Sequence, residues 1–328
     1  MSGRDQSTTV FSDRISTPVM LSPTGSARLA VADAELAVAR GAGRAGTVYA
    51  HSTVASFSPE DVAEAATGPL WFQLYLHPDR TVAERFIRRV QEAGYRALVL
   101  TIDTPVRGNR ERDARNGFSL PYRVTPHLIA QGLSRPRWST QFLRANLRAR
   151  RRGASKAGPQ KLSLRQVESA LVAARWPATW TDLAFVRAIW QGPLLVKGIM
   201  RPDEVDQLVD HGVDGIVVSN HGGRQLDGVP ATIDVLPSIV HAVAGRMEIY
   251  VDGGVRRGTD VVKALALGAR ACFVGRPYIY ALAIGGDAGI ARMLDMLRVE
   301  IDRTMALLGC RSVEDIDSTL VATAHAQR

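Results

Sequence analysis

The chain has 328 residues, 46% hydrophobic and 22% charged, enough for one large α/β barrel or two ordinary domains of a globular enzyme. Two cysteines make no disulfide framework, residues 1–13 lack the apolar centre of a signal peptide, and no run of about 18 apolar residues could cross a bilayer, so the expected address is the cytoplasm. The net charge of +9 is local: residues 135–165 hold ten Lys or Arg and no Asp or Glu, leaving 31 basic against 32 acidic side chains elsewhere.

Residues 1–16 read as a disordered or extended lead-in. Short apolar, β-branched runs then recur at 18–22, 47–50, 70–74, 97–101, 194–196, 215–219, 248–251 and 271–274, and these are the expected strands. Helical spacing of apolar residues fills 30–41, 81–93, 201–209 and 259–267, and Gly94, Gly212 and Gly268 stand where helices stop. Gly41 to Gly46 match the dinucleotide fingerprint G-x-G-x-x-G, but between a helix and a strand. The fingerprint needs the reverse order, so this is an αβ turn. The long gap at 103–193 holds a helix at about 163–174 and, at 120–165, a basic, partly mobile insertion. Contact of 135–165 with an anionic membrane surface, at the inner face, is the competing reading of that charge. No stacking aromatics or binding motif points to nucleic acid. Eight strands with crossovers predict a (β/α)8 barrel, α/β in class, with 1–328 as a single domain.

Working residues of such barrels follow the strands, on the C-terminal face. Those positions hold Pro23, Thr24 and Gly25, then Ser52, Gln73, Tyr75, Thr101 and Asp103; the later strands end in Lys197, Ser219, His221, Asp252, Gly253, Gly254, Gly275 and Arg276. Such a ring suits a large polar cofactor. After strands seven and eight, glycines stand with Arg256 and Arg276 where barrels grip phosphate, helix N-termini supplying free N–H groups. Past strand six, His221 and Arg224 pair a group that takes a proton near neutral pH with one that clamps a carboxylate. This suits a substrate whose acid group adjoins the carbon that loses hydrogen. Asp103 can orient the imidazole, Arg110 is a second cation, and Tyr75 can bond a hydroxyl. Lys197 can face a flavin or, alternatively, form a Schiff base. No metal site is expected.

Six stretches in order between Thr17 and about Ile316 carry a resemblance: PVMLSPTG, FQLYL, LTIDTPVRGNRERD, VKGIM, VSNHGGRQLDG and VDGGVRRGTDVVKALALGARACFVGRP. The chain resembles the FMN-dependent L-2-hydroxy-acid oxidase/dehydrogenase family, which includes glycolate oxidase, L-lactate dehydrogenase and mandelate dehydrogenase; only about 120–181 resembles it weakly. The resemblance implies FMN contacts at Pro23, Thr24, Gly25, Ser52, Gln73, Thr101, Lys197, Ser219, Asp252, Gly253, Arg256, Gly275 and Arg276. It implies substrate contacts at Tyr75, Arg110 and Arg224, with His221 as base and Asp103 behind it. The implied reaction turns an L-2-hydroxy acid, lactate-like or larger, into the 2-oxo acid, removing the C2 proton and passing two electrons to FMN. Oxygen, a quinone or a protein would be the final acceptor, and a homo-oligomer, tetrameric by the resemblance, the assembly.

Departures from the family carry their own expectations. The family's N-terminal helical segment and its substrate tyrosine have no counterpart in the 17 residues before Pro18, which implies weakened substrate binding with FMN binding intact. His51 or Arg107 would be first to test as a substitute. Val54 stands where glycolate oxidase has tryptophan, implying a wider pocket, and Gly25 where many members have alanine, leaving the reaction with oxygen open. The alternatives are a barrel of this family acting on a peptide-derived substrate, or an FMN-binding protein impaired in catalysis.

Overall fold

The computed structural model describes residues 4–106, 108–117, 125–136, 138–140, 142–144 and 177–322. A small hairpin comes first, β1 (Thr8–Val10) with β2 (Asp13–Ile15), antiparallel. Eight parallel strands follow: β3 (Val19–Leu21), β4 (Tyr49–Ser52), β5 (Leu70–Leu74), β6 (Ala97–Thr101), β7 (Leu194–Ile199), β8 (Gly215–Val218), β9 (Glu248–Val251) and β10 (Ala271–Val274). They pair in chain order, and β10 closes on β3 to complete the barrel. All eight expected runs are its strands. β7 runs on past a bulge between Lys197 and Ile199, beyond the end expected at 196.

Both faces of each strand are covered, which is why the strands read as continuous apolar runs. Met20, Ala50, Trp71, Val99, Leu195, Val217, Tyr250 and Phe273 point inward and form one cluster in the barrel's lumen. Their neighbours, among them Leu21, Tyr49, Phe72, Leu98, Val196, Ile216 and Cys272, point out and pack under the helices.

The helices include α1 (Ala34–Arg44), α2 (Pro59–Ala65), α3 (Arg80–Glu92), α4 (Glu111–Arg115), α5 (Pro126–Leu133), α6 (Trp180–Ile189), α7 (Val205–Asp210), α8 (Thr232–Val243), α9 (Gly258–Ala266) and α10 (Arg276–Leu308), of which α4 and α5 belong to the long connection after β6. Helix α10 is broken at Gly285 and Gly286, whose backbone is not helical. The helix expected at 30–41 starts at Ala34, after a separate 3-10 turn at Ala27–Leu29. That expected at 201–209 divides into a 3-10 turn, Pro202–Glu204, and α7. Gly94, Gly212 and Gly268 take φ of +84°, +69° and +99°, the left-handed stops read from the sequence. The glycines of the false fingerprint have structural work instead: a Cβ on Gly41 would lie 2.8 Å from that of Ile290 on α10, and Gly46 ends the turn at φ +65°. The helix expected at 163–174, Arg107, and most of the basic run 135–165 lie outside the described residues.

Residues 4–16 are extended, and they are not idle. At the hairpin's turn Phe11 (φ +51°) drives its ring into the N-terminal mouth of the barrel, 5.5 Å from Trp71 and 6.1 Å from Tyr250. Gly215 makes room, since a Cβ there would stand 3.0 Å from the Phe11 ring. The Phe11 N–H donates to the Glu248 carboxylate at 3.1 and 3.3 Å. The hairpin thus floors the barrel at its N-terminal end.

Candidate active site

Two residues beyond the apolar layer, each strand turns its next side chain inward: Ser22, Ser52, Gln73, Thr101, Lys197, Ser219, Asp252 and Gly275. Seven of the eight are polar, and all seven are buried. Buried polar groups need partners, and these supply one another. Ser52 Oγ donates to Gln73 Oε1 at 2.8 Å, and Gln73 Nε2 donates to Thr101 Oγ1 at 3.0 Å. Across the ring, Lys197 Nζ donates to Ser219 Oγ at 2.6 Å and stands 3.1 Å from Asp252 Oδ2. That ion pair leaves Lys197 a charged partner in place of the Schiff-base role. Ser22, absent from the sequence-based set, completes the ring; its carbonyl accepts from Tyr278 Oη at 2.9 Å, and that hydroxyl also bonds Thr24 Oγ1.

Above the ring, the loops after β6 and β8 meet. Asn220 begins a sharp turn whose next three residues, His221, Gly222 and Gly223, all lie at positive φ (+58°, +67° and +72°). The Asn220 carbonyl and side-chain oxygen both accept from the Gly223 N–H. This strained backbone aims the imidazole across the barrel mouth: His221 Nδ1 lies 3.0 and 3.1 Å from the two Asp103 oxygens. The bulge at Gly198 (φ +110°) admits Asp103, whose Cβ would be only 2.7 Å from a Cβ at 198.

Three more expected substrate groups gather here. Burial pushes the Tyr75 phenol well above its ordinary range; Asp103 adds to the rise, and Arg110 and Arg224 oppose it, so each of the three lies within electrostatic reach of Tyr75. Tyr75 therefore stays a neutral hydrogen-bond donor at any working pH. Arg224 Nη2 is 3.9 Å from Asp113 Oδ2 on α4, and Arg110 Nη2 reaches Gln225 Oε1 at 3.4 Å. His51 is not among them. It points outward from β4 into the wall, its Nδ1 2.7 Å from Tyr95 Oη, and burial lowers its pKa to about 3. Behind the barrel strands it cannot stand in for a substrate tyrosine.

At the phosphate end the structure corrects one detail. The N–H groups of Arg256 and Arg257, at the start of α9, are taken by Asp260 Oδ2 at 3.0 and 2.9 Å, and that of Gly258 by Glu300 at 2.7 Å. These donors are occupied because Asp260 sits three residues into its own helix, where a carboxylate caps it. The uncapped helix start is that of α10: Gly275 precedes it with no side-chain cap, and Arg276 follows, donating to Gly222 O at 3.1 Å. Gly253 (φ +91°) and Gly254 (φ +80°) keep the intervening loop without side chains, and Arg256 is exposed beside it.

A family profile described as FMN-dependent dehydrogenase matches residues 1–323. The chain belongs to this family. It is therefore an oxidoreductase, and FMN is its cofactor. It is 43% identical to 2-hydroxyacid oxidase 1 of Mus musculus, over 97% of this chain and 81% of that relative. It is 41% identical to glycolate oxidase of Spinacia oleracea, over 97% of this chain and 80% of that one. Among solved structures, mandelate oxidase with benzoyl-formic acid superposes with a TM-score of 0.78 at 37% identity, covering 95% of this chain and 80% of that one.

The residues present fit a flavin mononucleotide. Asp252 Oδ1 is buried without a partner among the described residues, an acceptor waiting for a hydroxyl. The Ser52–Gln73–Thr101 chain offers amide and hydroxyl groups to a planar heterocycle, and Lys197 a buried ammonium. Arg276 at the open start of α10 suits a phosphate. Gln225 and Gly108, like Ser22, are site residues that sequence reasoning missed, and nothing local in the sequence marks their role.

Proposed function

We propose that this flavoenzyme oxidises L-2-hydroxy acids, lactate-sized or larger, to 2-oxo acids. The observation that carries the reading is the His221–Asp103 pair set among Tyr75, Arg110 and Arg224. With Nδ1–H donated to Asp103, His221 Nε2 keeps its lone pair and takes the proton that the substrate loses; the carboxylate behind stabilises the imidazolium formed. Arg224 and Arg110 hold the substrate's acid group, and Tyr75 donates to its hydroxyl oxygen. Bound FMN supplies the two-electron acceptor. Ser52, Gln73, Thr101, Lys197, Ser219 and Asp252 would hold it from the ring, and Arg276, Gly275 and Arg256 at its phosphate. The relatives' names support the substrate class, being 2-hydroxyacid, glycolate and mandelate oxidases. Val54 supports the size, because this short side chain rests against Gly25, where a Cβ would be 2.6 Å from Val54 Cγ2.

The reading includes a homo-oligomer, supported by apolar side chains that the first half of α10 leaves in water, Tyr280 at 64% and Ile284 at 88% exposure. Anaerobic bleaching of the flavin by a panel of L-2-hydroxy acids, from glycolate to mandelate, tests the main claim. Bleaching by at least one member is expected, and a flavin that none of them reduces would overturn it.

A further inference from the structure

Resting on the roles just given to Asp103, His221, Arg110 and Arg224, we propose that Gln225 is a positioning residue. Its side-chain amide latches the loop after β6 to the loop after β8 and so sets both the base and the carboxylate clamp.

The four working groups come from two loops whose strands are not neighbours, since β7 stands between β6 and β8. No backbone–backbone hydrogen bond joins these loops among the described residues. Nor does apolar packing: the side chains at the junction, Val106 and Leu226, are 69% and 71% exposed. Beside the His221–Asp103 pair itself and the long 3.9 Å approach of Arg224 to Asp113, what joins them is one amide. Gln225 Nε2 donates to the carbonyls of Asp103 at 3.0 Å and Val106 at 3.1 Å, while Oε1 accepts from Arg110 Nη2 at 3.4 Å. Turning the amide over would set its oxygen against two carbonyl oxygens, so the chemistry dictates its orientation.

The backbones are in contact as well. A Cβ on Gly108 would fall 2.2 Å from Arg224 O and 2.6 Å from Gln225 Cα, so only glycine lets the loops close to this distance. Asp103 is thus held at its own carbonyl by Gln225 and at its carboxylate by His221. A neutral amide is the group this place needs. A carboxylate would repel both carbonyls and compete with the substrate's acid group for Arg110, and a cation would repel the clamp.

The test uses the FMN-loaded enzyme and the panel acid that reduces it fastest, with oxalate as a non-reacting dianion whose binding perturbs the flavin spectrum. Gln225→Leu should keep FMN but slow anaerobic reduction about 10- to 100-fold, the cost of a misplaced catalytic group, and weaken oxalate binding. In an Asp103→Asn background the same change should slow reduction by less than about threefold, because the interaction it serves is already gone. A Gln225→Leu enzyme with wild-type reduction and oxalate affinity overturns the latch, as does a full second slowing in the Asp103→Asn background. Should Gln225→Leu fail to fold, Gln225→Glu, equal in length and keeping Oε1, is put through the same cycle and decided by the same outcomes. Wild-type rates in both Asp103→Asn and His221→Gln would instead sink the reading of the site on which the latch rests.

Discussion

His221 occupies a left-handed backbone position, and the turn built on it brings the imidazole to face Asp103. His221→Gln should therefore bind FMN as before and lose reduction by substrate about 10²–10⁴-fold, the usual contribution of a general base. Stopped-flow absorbance of the flavin checks this, and unchanged reduction would remove His221 from the mechanism. Arg276 acts elsewhere, at the uncapped start of α10. Arg276→Leu should weaken FMN binding by about 1.5–3 kcal/mol, the worth of one charge-assisted contact, while a variant that already holds FMN keeps its reduction rate. Fluorescence titration of apoprotein with FMN gives the first number, and a rate loss without an affinity loss would reverse the assignment.

Between elements, glycines decide how closely helices approach. Gly41 in α1 faces the backbone carbonyl of Asp287 and the side chain of Ile290 in the second half of α10, each within 3 Å of where its Cβ would stand. Gly41→Val should cost about 1–3 kcal/mol by overpacking. The flavin spectrum should not change, because this contact lies on the outer face of the barrel, away from the polar ring. Urea unfolding followed by fluorescence measures the cost. If the variant lost FMN while keeping wild-type stability, the glycines of this segment would have to be reassigned to cofactor binding.

For the molecule as a whole, the buried imidazole of His51 ties stability to pH. Its folded pKa is lowered to about 3 by burial, against about 6.5 in an unfolded chain. The sign follows: above about 6.5 both states are neutral and the packing benefit is complete. As pH falls through 6.5 toward 3, only the unfolded state takes the proton, so stability drains away. Each pH unit in that window costs about 1.4 kcal/mol, and moving from pH 7 to pH 5 about 2 kcal/mol. His51→Leu should flatten this dependence, narrowing the difference between unfolding free energies at pH 7 and pH 5 by about that amount. Equal slopes for the two proteins would show that the proton is taken up elsewhere.

Periodicity alone determined the architecture. Eight apolar runs buried on both faces, most of them followed by a polar residue and five by a helical stretch, have few closed arrangements open to them, and the barrel is one. The ring was legible for the same reason: a strand's side chains alternate, so Ser52, Gln73, Thr101, Lys197, Ser219 and Asp252 lie one pleat above apolar residues already visible in the chain. The Gly41–Gly46 motif could likewise be set aside from element order. Contacts between distant loops left no local trace. Nothing near Gln225 in the sequence announces carbonyls 119 and 122 residues away, nor does Gly108 announce Arg224. Phe11 looks like any residue of a polar lead-in until closure of the barrel leaves a hydrophobic mouth for it to fill. His51, at a strand end in the sequence, proved to face outward, because β4 enters two residues later than read and its alternation places Ser52 inside. Local pattern sets which elements form and which face each side chain takes. Which loops touch depends on strands brought together from across the chain, and only the closed barrel decides that.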